Sequence, residues 1–355
     1  MKTTTINTNR LYLDVVKGIT VFLMLWTHCI QYCALGSFDF FENPVFKTVY
    51  SFHMPLFMMV SGYLFRFSFR KRDTRTLLIH RCQSLLQPIV FGTVIHNLLI
   101  QISHRLLSGT GHFFNGELLT GVTEQMWFLW CVLGSSVVVA LACKASRKLW
   151  TRLCLLLVGT VPLALFPVMD FQLFMYPFFV AGFLFGEYKE VLMEKVGKLR
   201  YIALVLFPAM VPFYRKEHYI YLTPFLSKDH GVAELFLIND FRILIGMTGS
   251  VFVLVLTEFL LKLLISRLPW LVKALAKLGE NSLQVYILSV PLLSGYLPVV
   301  YEKAMQMFGR NILAENMLVY NFLFTPLLTA AVAAGLYLMI LLLRKWKLHG
   351  LIFGR

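Results

Sequence analysis

Charge is what this sequence has least of. Asp, Glu, Lys and Arg make up 14% of its 355 residues, where an ordinary soluble protein carries about 25%. Acidic residues are the scarcer sign, with 18 Asp and Glu against 33 Lys and Arg. The six cysteines, Cys29, Cys33, Cys82, Cys131, Cys143 and Cys154, form no C-x-x-C pair and no Cys/His ligand spacing. That argues against both a disulfide framework and a zinc site, and no metal is expected. There is no Walker A loop and no G-x-G-x-x-G between a strand and a helix, so nucleotide hydrolysis is not indicated. A G-x-S-x-G nucleophile elbow is absent. No internal repeat, low-complexity segment or appended soluble domain is visible, so residues 1–355 read as a single transmembrane domain. The first apolar span keeps its charges and lacks a small-residue cleavage pattern, so it reads as a retained helix.

Apolar residues are abundant instead. They make up 58% of the chain, and the mean hydropathy is +0.71. Repeated apolar runs of bilayer-spanning length predict an all-α, polytopic integral membrane protein. About ten transmembrane helices are expected, at 13–33, 46–65, 85–103, 126–143, 152–168, 172–186, 200–214, 241–262, 281–300 and 318–343. The fifth, sixth and seventh are short and contain Pro162, Pro177 and Pro212, which membrane helices tolerate where neighbours re-satisfy the freed carbonyl.

A net charge of +15 raises the question of nucleic acid, and its distribution answers it. The basic residues fall in short segments on alternate sides of the spans. Lys2, Arg10 and Lys17 precede or open the first span. Arg66, Arg70, Lys71, Arg72, Arg75 and Arg81 lie between the second and third. Lys144, Arg147, Lys148 and Arg152, then Lys189, Lys195, Lys198 and Arg200, follow on the same side. Lys262, Arg267, Lys273 and Lys277, with Arg344, Lys345, Lys347 and Arg355, complete it. Cytoplasmic loops collect Lys and Arg, so the threading predicts both termini in the cytoplasm and a multi-pass protein of the inner (plasma) membrane. Its surroundings are membrane lipid rather than nucleic acid.

The most informative stretch is Leu13 to Tyr32, LDVVKGITVFLMLWTHCIQY. It is long enough to span a bilayer yet contains Asp14, Lys17 and His28. An ionisable group inside a membrane is expensive and is read as functional. Lys17 and His28 lie eleven residues apart, three turns plus about 20°, so they share one helix face about 16 Å apart. One end suits an anion at the membrane surface, and the other suits proton transfer. His53, in SFHMPLFMMVSGYLF, is expected about two turns into the second helix at a depth similar to His28. Histidine ionises near neutral pH, which fits a general base.

Glu124 and Trp127, in EQMWFLWCVLG, open the fourth span at the same outer level. The carboxylate could orient a histidine or bind a sugar hydroxyl. The indole could stack on a sugar, or serve as an interfacial anchor. The basic segment RFSFRKRDTRTLLIHR suits topology first, and phosphate binding second, with Arg81 and Arg72 the candidates. Tyr214 to Asp240 is the longest polar stretch and reads either as a solvated cover or as a substrate-contacting loop.

These residues resemble, in order, the acyltransferase 3 family of integral membrane proteins. R-x-Y-L-D-x-x-K-G-I-x(8)-H is similar to its opening motif of Arg or Lys, ten residues, then His. SFHMPLFMMVSGYLF is similar to the next motif of the fucose 4-O-acetylase-like branch. MWFL at Met126–Leu129, FFVAGFLFG and LGENSLQVYIL fit in sequence, so the resemblance covers essentially the whole chain. Two departures stand out: Ser84 replaces the second Arg of an R-x-x-R pair begun by Arg81, and Ser289 stands where a histidine is frequent. The resemblance implies transfer of an acyl group, usually acetyl, from cytoplasmic acyl-CoA to a hydroxyl of a cell-envelope glycan or lipid-linked sugar. Lys17, Arg81 and Arg72 would then hold CoA phosphates, and His28, with His53 and Asp14, would serve catalysis. Glu124 and Trp127 would meet the acceptor. The rival reading is a transporter or flippase for an envelope saccharide, but the paired broken helices and inverted repeats of that class are not visible.

Overall fold

The structure, a computed structural model, describes residues 2–108, 122–146, 148–165, 168–307 and 311–353. Arg147 and Arg355 of the basic segments lie outside the described residues. Every regular element among the described residues is helical. The main helices are α1 (Lys2–Cys33), α2 (Pro44–Tyr50), α3 (His53–Lys71), α4 (Thr74–Ser108), α5 (Trp127–Ala145), α6 (Leu149–Val158) and α7 (Met169–Val196). They continue with α8 (Ala203–Met210), α9 (Val232–Arg267), α10 (Pro269–Glu280), α11 (Ser282–Val290), α12 (Leu297–Gln306) and α13 (Thr325–Lys345).

Seven helical stretches among the described residues are long and apolar enough to cross a membrane. They are Asn9–Cys33, Thr74–Ile102, Trp127–Ala145, Met169–Lys195, Val232–Arg267, Ser282–Gln306 and Met317–Lys345. The other expected spans also fall on helices, of a different kind. The spans expected at 152–168 and 200–214 overlap the shorter apolar stretches Leu149–Leu163 and Leu199–Phe213. Residues 46–65 are not one helix. The chain breaks between α2 and α3, so His53 is the first residue of a new helix rather than a residue two turns into an old one. Pro55 gives the reason: a proline within the helix would leave a carbonyl one turn earlier without its donor and press on it. Restarting at His53 puts Pro55 in the first turn, where its missing N–H costs nothing.

The chain packs as two compact units. Unit 1 holds Met1–Tyr50, Gln87–Met126 and Phe259–Arg355; unit 2 holds Ser51–Leu86 and Trp127–Glu258. Each is built on one antiparallel helix pair brought together by reciprocal glycines. In unit 1 a β-carbon on Gly18 would overlap the Leu275 carbonyl, and one on Gly279 would overlap that of Asp14, so α1 and α10 touch backbone to backbone. In unit 2 Gly62 lies against the Phe179 carbonyl and Gly182 against that of Met59, which does the same for α3 and α7. Small residues allow such close approach where lipid offers no hydrophobic drive between helices.

The far end of α1 is held by polar caps. Tyr320 Oη donates to the Ile30 carbonyl (2.8 Å), and Asn311 Nδ2 donates to the carbonyls of Cys33 (2.9 Å) and Ala34 (3.2 Å). Leu35 and Gly36 then take positive φ, the left-handed turn that commonly ends a helix. Asn43 opens α2 by accepting from the N–H groups of Val45 and Phe46, as an N-cap residue does. These caps fix the C-terminal end of α1, the helix that carries Lys17 and His28.

Candidate active site

The lower end of the site is ionic. Lys17 Nζ lies 2.7 Å from Asp14 Oδ1, and Arg10 Nε lies 3.7 Å from Asp14 Oδ2. The Lys17 and Asp14 side chains are 18% and 11% exposed. A carboxylate shared by two cations leaves positive charge over. Gly279 lets α10 reach this level, and Glu280 follows it, 2.7 Å from Lys277 Nζ. The Lys277 hydrogen bond is the main influence holding the Glu280 carboxyl below its ordinary range, and Arg10 and Lys17 add their charges. Arg344 donates to Asn281 Oδ1, and Asn281 Nδ2 donates to the Lys277 carbonyl. Three cations, Arg10, Lys17 and Lys277, thus share two carboxylates at one end of unit 1, and Arg344 adds a fourth through Asn281. Such a place can hold phosphate oxygens.

The upper end is an imidazole. His28 is half-buried, with Nδ1 3.2 Å from Gln31 Oε1 and its ring stacked on Tyr32 at 5.8 Å. With Gln31 Oε1, an acceptor, as the facing atom, the Nδ1–H tautomer makes this contact and leaves the lone pair on Nε2. Nε2 has no hydrogen-bond partner among the described residues. A tautomer fixed by its other nitrogen, with Nε2 open, is the arrangement a general base needs.

Asp14 serves Lys17 rather than His28. Fourteen residues separate Asp14 from the histidine, a rise of about 21 Å. The remaining expected residues divide between the units. Glu124, in unit 1, is exposed. His53, in unit 2, is 2% exposed at the head of α3. Arg72 is exposed and extended at the end of α3. Arg81 places its guanidinium 5.0 Å from the Phe65 ring centre, a cation–π contact. Trp127 is 9% exposed, with its ring 4.5 Å from that of Phe171 and edge-on to Tyr221 at 6.4 Å. Neighbouring rings within unit 2 therefore already pack against this indole.

Several contributors escaped the sequence reading. Gln31 could have been found, because H-x-x-Q places both side chains on one helix face. Gly279, Glu280 and Asn281 stand inside the motif LGENS, but only the fold shows that Gly279 meets Asp14 and that Asn281 meets Arg344. Arg344 carried no local signal, since it is one of several basic residues closing the last span. Arg242 was also missed. It is buried in unit 2 beneath the polar stretch 214–240 and belongs to that stretch's support.

Residues 10–344 match the protein family described as an acyltransferase domain. Two curated relatives, both called nodulation protein NolL, are similar to this chain. That of Mesorhizobium japonicum is 28% identical over 238 residues, covering 64% of this chain and 62% of its own length. That of Sinorhizobium fredii is 30% identical over 215 residues, covering 57% of this chain and 55% of its own. The matched region thus spans less than two thirds of either relative. No solved structure matches.

Proposed function

The chain belongs to the acyltransferase domain family that spans nearly its whole length, and we propose that it is a membrane O-acyltransferase. Its donor is acyl-CoA, with acetyl the group moved, and its acceptor is a hydroxyl of a cell-envelope glycan or lipid-linked sugar. The observation that carries this reading is the face of α1: Lys17 among the cations at one end, and His28 with Nδ1 held and Nε2 open at the other.

In this reading the basic end of unit 1 faces the cytoplasm of a cell whose inner membrane holds the protein, with both termini on that side. The CoA phosphates rest on Lys17, helped by Arg10 and Arg344, and the pantetheine arm runs along α1 towards His28. The helical rise of about 16 Å between the two residues suits an extended arm. His28 Nε2 takes the proton from the acceptor hydroxyl, whose oxygen bonds to the thioester carbonyl carbon. The carbon–sulfur bond then breaks, and the imidazolium returns the proton to the CoA thiolate. Gln31 keeps the ring in the required tautomer throughout. Arg81, Arg72 and His53 belong to unit 2, and their assigned roles in donor and acceptor handling stand as part of the proposal. The family match favours a transferase over a saccharide transporter.

Mass spectrometry of envelope glycans from cells with and without the protein tests the reading. Loss of acetyl mass from one glycan on deletion, restored by the wild-type gene, is expected. An unchanged glycan profile would overturn it.

A further inference from the structure

One buried histidine of unit 1 lies outside the proposed reaction along α1. His96, on α4, is 4% exposed, and its Nδ1 has no hydrogen-bond partner among the described residues. An unpaired polar atom in such a place costs free energy, so each instance needs a reason.

The surroundings of His96 follow from its helix face. Gly92 lies one turn earlier, where a β-carbon would meet Met126 Cε at 2.8 Å and Ile287 Cγ2 at 3.0 Å. Ile100 lies one turn later, its Cγ1 3.1 Å from the position a β-carbon on Gly295 would take. Tyr296 Oη donates to the Leu99 carbonyl at 3.0 Å. Residues 92 and 100 therefore face 287 and 295, and α4 runs parallel to α11 and the turn after it. Midway between these contacts, His96 stands level with Pro291. There the helix widens into a π-helical turn, Pro291–Tyr296, a feature frequent at functional sites.

Two more unpaired atoms lie along this seam. Gln125 Oε1 and Gln284 Oε1 are buried without partners among the described residues. Gln125 adjoins Met126, and its carbonyl accepts from Tyr286 Oη at 3.4 Å. Gln284 stands one turn before Leu288 on α11, with Nε2 3.3 Å from His349 Nε2.

The same seam reaches His28. Gly279, just before α11, meets Asp14, while Tyr301 Oη donates to Asn311 Oδ1, and Asn311 Nδ2 donates to the Cys33 carbonyl. Residues 279–301 therefore climb alongside α1. His96 lies three residues below Leu99, the partner of Tyr296, a drop of about 4.5 Å. The helices that carry His28 and His96, α1 and α4, thus both border residues 279–301.

We propose that His96 Nδ1 and Gln125 Oε1 form an acceptor subsite that takes hydroxyl hydrogens of a polyhydroxylated ligand, a sugar, beside the proton-accepting His28. This assignment rests on the transferase reading and deepens it. The chemistry selects the ligand, because amide oxygens and an imidazole lone pair accept hydrogen bonds, and hydroxyls donate them. The phosphates of the donor only accept, so the seam does not suit them. His96 acts here as a positioning residue and His28 as the base.

The test uses membranes from a strain deleted for the gene and carrying the full-length wild-type, His96→Phe or His96→Asn protein. They are supplied with radiolabelled acetyl-CoA, and label is counted in the native glycans of the same membranes. Loss of one hydrogen bond to the acceptor is expected to lower transfer by His96→Phe about tenfold. His96→Asn keeps a polar atom near Nδ1 and should restore most of the rate. The KM for acetyl-CoA should stay unchanged in both, which a merely structural role would not ensure. Full transfer by His96→Phe overturns the subsite, as does an equal rise in the acetyl-CoA KM or loss of both variants from the membrane. Absence of label transfer by the wild-type protein would overturn the transferase reading, and this assignment with it.

Discussion

Two ionisable nitrogen groups, one in each unit, have opposite hydrogen-bond accounts. Arg242 in unit 2 is 1% exposed. Its Nε donates to the His218 carbonyl at 3.0 Å and its Nη1 to Asn239 Oδ1 at 2.8 Å. Its Nη2 is shared among the carbonyls of Glu217, Thr223 and Tyr219 at 2.6, 2.8 and 3.3 Å. The guanidinium is absorbed in holding one loop. His28 in unit 1 has one nitrogen fixed by Gln31 and the other open. The more deeply buried of the two is the clamp, so burial alone does not mark chemistry. What separates a clamp from a reactive group is the hydrogen-bonding capacity left over.

The contrast is sharpest in how each should fail. Removing a positioned general base typically costs 10²- to 10⁴-fold in rate, so His28→Ala should lose at least about a hundredfold of acyl transfer. The variant should melt close to the wild type and still bind acetyl-CoA. His28→Gln retains hydrogen bonding but not basicity, and near-normal turnover in it would end the role given to His28. Arg242→Met should do the reverse. It strands several buried carbonyls, each worth about 1–3 kcal/mol, so a loss of about 3 kcal/mol or more is expected. Activity should fall only in proportion to folded protein. A normally folded but inactive Arg242→Met would erase the distinction.

The difference between these residues was only half legible in the sequence. Helical class and the Lys17–His28 register follow from hydropathy and the 3.6-residue period, which act within one helix. Gln31 was within reach of the same reasoning. Arg242 was not, because its backbone-carbonyl partners lie 19 to 25 residues away in a loop and periodicity carries no information about loop carbonyls. Gly279 and Asp14 lie at opposite ends of the chain, and only the folded pair reveals why both are needed. The break before His53 was foreshadowed by Pro55, since a proline restricts the turn before it, yet apolar continuity masked it.

The glycine pair of unit 1 offers an intermediate effect. Gly279→Ala forces a methyl into the Asp14 carbonyl, and overpacking of this kind costs about 1–3 kcal/mol. Because the strain falls beside Lys17, the KM for acetyl-CoA should rise together with the loss of stability. Lys17→Ala should raise that KM about tenfold with little change in melting, as loss of a charge-assisted contact does. Gly335→Ala is the control: nothing lies within 4 Å of the added carbon, so helix propensity should leave it neutral or slightly stabilising. Equal behaviour of Gly279→Ala and Gly335→Ala would show that the close contact of α1 and α10 is dispensable.

The smallest expected effect tests unit 2 by pH. His218 lies outside the spanning helices, and its carbonyl is one of those that Arg242 holds. Its Nδ1 accepts the Arg215 N–H at 2.8 Å, and burial is the main cause that lowers its pKa from the ordinary 6.5. The folded state therefore binds this proton less readily than the unfolded chain does. Its contribution to stability is fully present above pH 6.5 and is lost as pH falls through the lowered folded value. Protonation would also turn Nδ1 from acceptor to donor and break the bond to Arg215. Purified full-length protein should accordingly melt lower at pH 5.5 than at pH 7.5, and part of that difference should vanish in His218→Asn, which keeps an acceptor and does not titrate. Other groups titrate in the same window, so the comparison of the two slopes carries the result. Identical slopes would remove His218 from the pH response. If acyl transfer at saturating donor instead followed the His218 slope, the loop that Arg242 holds would take part in turnover, and the division between a clamp in one unit and chemistry in the other would fail.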